Sequence, residues 1–589
     1  METYWTRVLN RRVNRRRALI AAGGTAASAA FLAACSDSSE PGANSSGSTD
    51  DLLTVPEDTS ESAVPGGIWQ TSEPEDPSPG LDVHMTTGTT AVARVIPCYD
   101  WLVKYSPGKG GINGDLVGDA AESWEYSTDG LTLTFKMRPN HRFDPRPPTS
   151  GRPMTSADVQ FSWDRFLAVS PNSSDINPDN PDSPVTSLTT PDDKTVVVKL
   201  KYPYLSALEM FAQHRLLMLL PREADGGFDP RGEARGAGPF MLDRWNPSVN
   251  LEWKKNPNWY ESNRPFLDGI SETVIPEYSS GLAQFENGRL WNFLVRQEDI
   301  LRTKRAHPEM VLSQMYATLG GNYHYSFSYG SSSIFNDVRA RQAASMLIDR
   351  DLFMEVFHGL DVFQAEGIPV SYSWNSHIPS PNPEWLDPKG SELGESSRYF
   401  HLDVAEAKKL LSAAGYDGRP LKLHFSERHT AKEWEILQGM WSEGLNAQIE
   451  VLEYATTWRS VCQSRPQQGR WDYEGLCQNP GTGFNAEQHI TRWYIPGSRY
   501  SYRPEEDPIL TPLARKIQTE IDRDTQLSLI HEFQREAAKQ MTILLRVGEV
   551  NGYQLHWPWL GNYGVWSGTT EVTKRLGAYY WYDKSKAAA

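Results

Sequence analysis

The sequence predicts a mixed α/β fold, and three observations support this prediction. Some segments alternate apolar and polar residues with period two, as in Leu131–Met137, which is typical of half-buried strands. Other segments space apolar residues three and four apart, as in Asp403–Gly415, which is typical of amphipathic helices. Both kinds of segment are interleaved along 589 residues, a length that allows about three to five domain-sized units.

The predicted strands are bounded by turn residues and enriched in β-branched or aromatic side chains. A tight Asp129-Gly130 turn precedes Leu131–Met137, and Thr195–Leu200 is a run of β-branched residues after another turn. Three shorter strands are predicted at Gly67–Gln70, Phe240–Leu242 and Ala447–Val451.

The predicted helices carry recognisable start and stop signals. Thr155 caps one helix, with Asp158 three residues later as in a capping box. Asn336-Asp337 precedes a longer helix over Val338–Phe357, and Asp403–Gly415 begins with acids and stops at a glycine. Two further helices are predicted at Trp434–Gly444 and Leu527–Met541.

Composition excludes several classes of protein. Hydrophobic residues make up 39% and charged residues 22%, which indicates a globular chain rather than a disordered one. The net charge is −16, so the surface repels nucleic acid and anionic lipid. The four cysteines lack CxxC spacing and the histidines are scattered, so we expect no metal and no cofactor. Whether Cys462 and Cys477 form a disulfide depends on geometry that the sequence leaves open.

The first 35 residues have the layout of an export signal. Residues 11–17 read RRVNRRR, an apolar small-residue run covers 18–34, and Cys35 follows. Arg16-Arg17 resembles a twin-arginine signal, although the usual preceding Ser or Thr is missing, so Sec export stays open. Leu32–Cys35 resembles a bacterial lipobox, which implies lipidation of the Cys35 thiol and cleavage just before it. Residues 36–63, rich in Ser, Gly, Asp and Pro, are predicted to be a disordered tether.

Several blocks between residues 121 and 415 resemble one family in the same order. The chain resembles the solute-binding proteins of ABC importers for dipeptides, oligopeptides and nickel, known as solute-binding family 5. The most specific block runs from Phe335-Asn336-Asp337-Val338-Arg339 to Ile348-Asp349-Arg350. We expect Arg339, Asp349 and Arg350 to form scaffold ion pairs and caps. The other matching blocks are Ala121–Glu125, Phe135–Arg138, Thr155–Val159, Gly238–Phe240, Lys255–Tyr260, Arg264–Asp268 and Ala405–Gly415.

The resemblance implies a periplasmic-binding-protein-like fold of type II, with two lobes, a hinge and a ligand cleft. Lobe 1 would comprise residues 64–95, 231–300 and 551–583, with an inserted subdomain at 96–230. Lobe 2 would comprise residues 301–550. The protein would act outside the cytoplasm as a monomer, binding a peptide, sugar or similar small polar solute without catalysis. It would then pass the solute to a permease and ATPase complex.

The ligand is the least determined part of the prediction. Peptide-binding members use an aspartate just after a lobe 2 strand to pair with the α-amino group of the ligand. Here Trp471-Asp472-Tyr473 resembles that strand and Glu474 adjoins it, but the following run, Gly475–Ala486, has no acid and the next one is Glu487. An unpaired buried amine is costly, so we expect free peptide termini not to be held in the usual way. A neutral, sugar-like solute fits the amide-bearing loop better. The candidate ligand-binding residues are Glu73, Tyr323, Tyr325, Gln478, Asn479, Trp557 and Trp559.

Two other functions stay open from the sequence alone. An exported glycoside hydrolase would also be acidic and rich in tryptophan, but no GxSxG or HExxH motif occurs. A peptide-binding chaperone or receptor would share the fold implied by the resemblance.

Overall fold

The computed structural model describes most of the chain from Leu52 onward. The described residues are 52–587 except 79, 86–93, 110–113, 181–182, 214, 316–322, 381, 428–430, 463–472, 474, 481–484, 497–500, 504 and 567–573. The predicted signal peptide and Cys35 therefore lie outside the described residues. Among the helices of the described part, none has the length and apolar composition needed to span a membrane.

Strands and helices are numbered here along the chain. The strands are β1 (Ile68–Glu73), β2 (Val103–Tyr105), β3 (Leu116–Gly118), β4 (Ala121–Tyr126), β5 (Thr132–Met137), β6 (Val185–Asp192), β7 (Thr195–Leu200), β8 (Phe240–Asn246), β9 (Asn250–Lys255), β10 (Gly269–Val274), β11 (Asn292–Phe293), β12 (Val311–Met315), β13 (Tyr323–Phe327), β14 (Tyr372–Trp374), β15 (Leu421–Ser426), β16 (Ala447–Leu452), β17 (Gly475–Pro480), β18 (Ile543–Leu545), β19 (Gly548–Val550), β20 (Gly552–His556), β21 (Leu560–Gly561) and β22 (Trp581–Tyr582). The α-helices are α1 (Ser156–Val169), α2 (Ala207–Met210), α3 (Tyr278–Glu286), α4 (Gln297–Ala306), α5 (Val338–Met346), α6 (Arg350–His358), α7 (Asp361–Ala365), α8 (Val404–Ala413), α9 (Ala431–Trp441), α10 (Arg459–Cys462), α11 (Ala486–Tyr494), α12 (Leu510–Thr519) and α13 (Arg523–Gln540).

Lobe 1 is built on a four-stranded sheet in the order β1-β10-β9-β8. β1 runs parallel to β10 in a register that opposes Glu73 to Val274. A three-stranded sheet in the order β11-β20-β12 lies beside it, so strands on both sides of the predicted boundary at residue 300 share one sheet. One apolar core joins side chains from residues 69–101, 218–312 and 553–580, which brings distant segments of the chain into one body.

The inserted subdomain has its own sheet, in the order β4-β5-β7-β6, and its own apolar core. Helix α1 packs against this sheet and buries Val159, Trp163 and Phe166. The predicted capping box is confirmed, because Thr155 and Asp158 bond reciprocally to backbone N–H groups at the start of α1. The predicted strands β5 and β7 are also confirmed, with Thr132 opposite Lys199.

Lobe 2 is a three-layer structure around a five-stranded sheet in the order β16-β15-β17-β13-β18. One face of the sheet packs against a core that includes α5, α6, α8 and α9, and the other face packs against α11, α12 and α13. Where the sequence predicts one helix over Val338–Phe357, the structure has α5 and α6. The break arises because Asp349 accepts a hydrogen bond from the backbone N–H of Leu352 and starts a new helix.

The family-specific block around α5 and α6 serves the scaffold, as expected. Arg339 forms an ion pair with Asp337, whose carboxylate also caps α5. The buried Arg350 donates to the carbonyl oxygens of Ser345 and Phe400, and burial lowers its pKa to about 9.

The end of the predicted tether belongs to the folded body instead. The backbone N–H of Thr54 donates to the carbonyl oxygen of Leu312 at 2.7 Å, and that of Thr59 donates to Asn562 at 2.8 Å. The indole of Trp581 also donates to the Thr59 hydroxyl at 2.9 Å. The prediction of disorder up to residue 63 is therefore wrong for this stretch, because long-range partners satisfy its polar groups and no local pattern shows them.

A buried ion network joins the C-terminal tail to the base of the inserted subdomain. The guanidinium of Arg575 lies 2.6 Å from a carboxylate oxygen of Asp100 and 2.7 Å from one of Asp119. His141 lies 2.9 Å from the other oxygen of Asp100. Burial alone would raise the pKa of Asp100, but Arg575 and His141 hold it at about 2.

Candidate ligand-binding site

The two lobes meet where the inserted subdomain faces helices α11 and α12 of lobe 2. The Asn485 amide lies 3.1 Å from the Ser206 hydroxyl, and the Gln518 amide lies 2.9 Å from the Tyr202 hydroxyl. Arg492 forms an ion pair with Asp175 at 2.7 Å. These contacts are polar and join segments about three hundred residues apart. An interface of this kind can open at modest free-energy cost.

Helix α11 brings a carboxylate into this interface. Asn485 caps the helix by accepting a hydrogen bond from the backbone N–H of Gln488, which places Glu487 in the first turn. Glu487 is only 1% exposed, and neither of its carboxylate oxygens has a hydrogen bond of good geometry. The hydroxyls of Tyr204 and Ser206 approach it from the inserted subdomain, but burial dominates and raises the pKa of Glu487 to about 7.

A second carboxylate enters the interface from the opposite side. Glu209, at the end of the inserted subdomain's short helix α2, accepts a hydrogen bond from the Asn485 amide. Burial raises its pKa, and the neighbouring Glu384 adds to that effect. Glu384 itself is paired with Arg523, the first residue of α13. Glu209 and Glu384 therefore both lie near the guanidinium of Arg523 in this part of the interface.

Four of the sequence-predicted candidates lie on adjacent strands of lobe 2. In the antiparallel pair of β13 and β17, Tyr323 lies opposite Pro480 and Tyr325 opposite Gln478. The Tyr325 hydroxyl donates to Glu433 within the lobe 2 core, and its ring lies edge-on to Trp441. Gln478 is 1% exposed and faces the same side of the sheet, with neither amide atom hydrogen-bonded among the described residues. The side chain of Tyr323 is outside the described part.

Asn479 lies on the other face of that sheet. Its amide donates to the Ser326 hydroxyl at 3.0 Å, and the residue opposite it is His324. His324 is fully buried against the ring of Trp493, which belongs to α11, and burial lowers its pKa well below the ordinary value. Asn479 is thus connected through β13 to the helix that carries Glu487.

Glu73 lies at the end of β1 in an ion network of lobe 1. Lys574 is 2.7 Å from Glu73 and also pairs with Glu272, which in turn pairs with the buried Arg94. Although burial opposes ionisation, Lys574 and Arg94 lower the pKa of Glu73. This carboxylate is therefore charged and already compensated by lobe 1.

Trp557 and Trp559 stack on each other in lobe 1, with ring centroids 4.5 Å apart. The indole of Trp557 donates to the carbonyl oxygen of Phe285 at 2.7 Å, and both residues belong to the lobe 1 core. The seven predicted residues are thus divided between β13 and β17, the Glu73 network and this stacked pair. Whether any of them contacts ligand stays a prediction.

The part of the chain that the structure describes contains no candidate metal site. No group of three His, Cys, Asp or Glu residues is placed there to hold an ion. The described cysteines are free thiols, and burial together with the nearby Cys462 raises the pKa of Cys477 well above its ordinary value.

Comparison with known proteins decides the family. Residues 115–474 match the model described as "Bacterial extracellular solute-binding proteins, family 5 Middle", which covers more than half of the chain. The chain belongs to solute-binding family 5. Its function is that of an extracytoplasmic solute-binding component of an ABC importer.

Relatives of this family 5 protein show the same fold with different ligands. It is 24% identical over 484 residues to the Escherichia coli K12 protein named "Probable D,D-dipeptide-binding periplasmic protein DdpA", covering 79% of this chain and 86% of that one. The Helicobacter pylori periplasmic binding protein DppA, solved with the peptide STSA, superposes with a TM-score of 0.67 at 17% identity, covering 89% of this chain and 99% of that one. AgaA of A. tumefaciens R10, solved with agropinic acid, gives 0.65 at 20% identity, covering 88% and 99%. These structures confirm the two-lobed type II fold.

Sequence reasoning missed most of the interlobe residues of this family 5 protein. Ser206 and Glu209 lie in a short segment without a motif, and Asn485 lies outside every helix that the sequence predicted. Glu487 was visible as the first acid after β17, yet nothing local indicates that it is buried against another lobe. Only the packing of the two lobes brings these residues together.

Proposed function

We propose that this family 5 protein captures a small polar solute by closing its two lobes around it, and then delivers it to a membrane permease. The solute class is a peptide, a sugar or a molecule of similar size, and the protein acts as a monomer that releases it unchanged. The observation that carries the proposal is the polar interface between the inserted subdomain and α11. Among the residues that the structure describes, a few hydrogen bonds and one ion pair hold it, so a bound solute can shift the equilibrium towards closure.

Lobe closure is testable with a reversible lock across the interface. The Ser206 and Asn485 side chains approach within 3.1 Å, so the double variant Ser206→Cys/Asn485→Cys should form a disulfide under oxidation. We expect the oxidised protein to scatter X-rays as the compact form and to bind no added solute. Reduction should restore both opening and binding, and each single cysteine variant should bind solute equally well with and without the oxidant.

The ligand screen uses thermal shift, because a solute that binds only the folded protein raises its melting temperature. The panel contains sugars, amino acids and peptides of two to five residues. A hit should also reduce the radius of gyration in X-ray scattering and be recovered chemically intact. A scattering curve that no solute changes would contradict the proposal, as would turnover of glycosides, which would favour a hydrolase instead.

Lipid anchoring at Cys35 is the second part of the proposal. The basic run, the apolar run and Leu32–Cys35 support it, since a diacylated cysteine gives stable membrane attachment. Cells fed labelled palmitate should label the wild-type protein and the Cys462→Ala control but not Cys35→Ala. A Cys35→Ala protein that still carries label and stays with the membrane would contradict the anchor.

A further inference from the structure

The interface between the lobes holds more negative charge than its own cations compensate. Arg523 pairs with Glu384, and Arg492 pairs with Asp175 at 2.7 Å. Glu487 has no such partner among the described residues, although it is almost completely buried.

Burying a carboxylate without a counter-charge is unfavourable, because the protein interior solvates the charge far less well than water does. The burial-raised pKa values of Glu487 and Glu209 express this cost. Both carboxylates also point into the same contact, since the Asn485 amide donates to Glu209 while Glu487 lies two residues further along α11. A positively charged group placed between them would remove the cost.

We propose that Glu487 and Glu209 bind a protonated nitrogen of the solute, so that the transported molecule is an amine or a guanidinium compound. The proposal rests on the proposed function and specifies its ligand. Each lobe contributes one carboxylate, and therefore the cation is fully coordinated only in the closed state. That difference between states is what a solute needs in order to drive closure.

The proposal also changes the interpretation of the segment Gly475–Ala486, whose first six residues form β17. The sequence shows no acid between Gly475 and Ala486, which favours a neutral solute. The structure supplies the missing negative charge from the first turn of α11 and from the inserted subdomain instead. A cationic solute is then compatible with an amide, Asn479, on the strand itself.

The test compares probes that share a skeleton and differ in charge. The pairs are trialanine with N-acetyltrialanine, glucosamine with N-acetylglucosamine, and putrescine with 1,4-butanediol. For at least one pair, we expect the charged member to raise the melting temperature and the neutral member to leave it unchanged. Glu487→Gln should weaken binding of that charged member about 30-fold or more in calorimetry, as expected when one partner of a buried charge pair is lost.

Two controls separate recognition from folding. Asp175→Asn alters a carboxylate of the same interface that already has its own arginine, and should leave the preference for charge intact. Unliganded Glu487→Gln should melt at the wild-type temperature or above it, because it removes a buried charge that has no cationic partner among the described residues. A clear loss of unliganded stability in Glu487→Gln would instead make Glu487 a structural acceptor and overturn the site.

The outcomes distinguish this site from the function on which it rests. If neutral or anionic solutes bind as well as their cationic counterparts, or bind when no cation does, the carboxylate site is overturned while solute capture stands. If no solute of any class raises the melting temperature, both proposals fail.

Discussion

Replacing Arg575 by methionine should severely destabilise lobe 1. The arginine joins the C-terminal tail to Asp100 and Asp119, at distances of 2.6 and 2.7 Å, and its side chain is only 7% exposed. Methionine keeps an unbranched apolar stem but has no charge, so the substitution leaves two buried carboxylates with fewer partners. Asp100 would keep His141, and Asp119 would keep the Tyr260 hydroxyl at 2.9 Å.

The size of the effect follows from two independent estimates. Breaking a buried ion pair by removing one partner costs about 3–5 kcal/mol. The pKa of Asp100, held at about 2 in the folded state, lies below the ordinary value by an amount equivalent to roughly 2–3 kcal/mol. The two figures overlap, so we expect the free energy of unfolding to fall by about 3 kcal/mol or more at pH 7.

The pH dependence of this loss has a definite sign. Because the folded-state pKa of Asp100 is lowered, its contribution is complete above the unfolded pKa near 4 and disappears as the pH falls towards 2. The difference between wild type and Arg575→Met should therefore be largest at neutral pH and shrink below about pH 4.

Urea denaturation followed by tryptophan fluorescence measures this difference, since Trp101 lies under the Arg575 guanidinium. Arg231→Met is the matched control, because that arginine is largely exposed and should give no measurable change. Combining Arg575→Met with Asp100→Asn and Asp119→Asn should restore much of the stability, because it removes the two buried carboxylates that have lost their guanidinium partner. An Arg575→Met protein as stable as the control, or a triple variant less stable than the single one, would refute the reasoning.

Three further predictions concern local structure and acid stability. Asp349→Ala should lower the free energy of unfolding by about 1 kcal/mol in urea titrations, because it removes the cap of α6, whereas Asp349→Asn should retain most of it. Gly475→Ala should cost more than Gly415→Ala in the same assay: both glycines have positive φ, but only at Gly475 would a Cβ meet a carbonyl oxygen, that of Lys422, at 2.0 Å. Burial lowers the pKa of His84 to about 4 in the folded protein. Between about pH 6.5 and 4 the unfolded chain therefore binds a proton at His84 that the folded chain does not bind. The free energy of unfolding should decline as the pH falls through that range. His84→Gln should make the urea midpoint depend less steeply on pH across that range. Part of the slope should remain, because burial also lowers the pKa values of His358, His377 and His556 to about 3. An unchanged slope would contradict the assignment.

Local patterns were sufficient to predict several elements of secondary structure and the mixed α/β class. Period-two alternation predicted β5 and β7, and Thr155 with Asp158 predicted the start of α1, because these signals lie within a few residues of the structure they determine. The blocks from residue 121 to 415 also indicated the family. The sequence was wrong about residues 52–63, whose hydrogen-bond partners lie as far away as Asn562.

The interface between the lobes was decided by tertiary structure alone. The contact between Asn485 and Glu209 joins residues 276 positions apart, and no local pattern encodes a meeting at that separation. The same limit explains why the sequence shows Glu487 only as the next acid after Gly475–Ala486, although its side chain is buried. By itself the sequence predicted several of the elements, the family and an export signal. Only the packing of one lobe on the other determined which charged side chains are removed from contact with water, because desolvation depends on neighbours in space rather than along the chain.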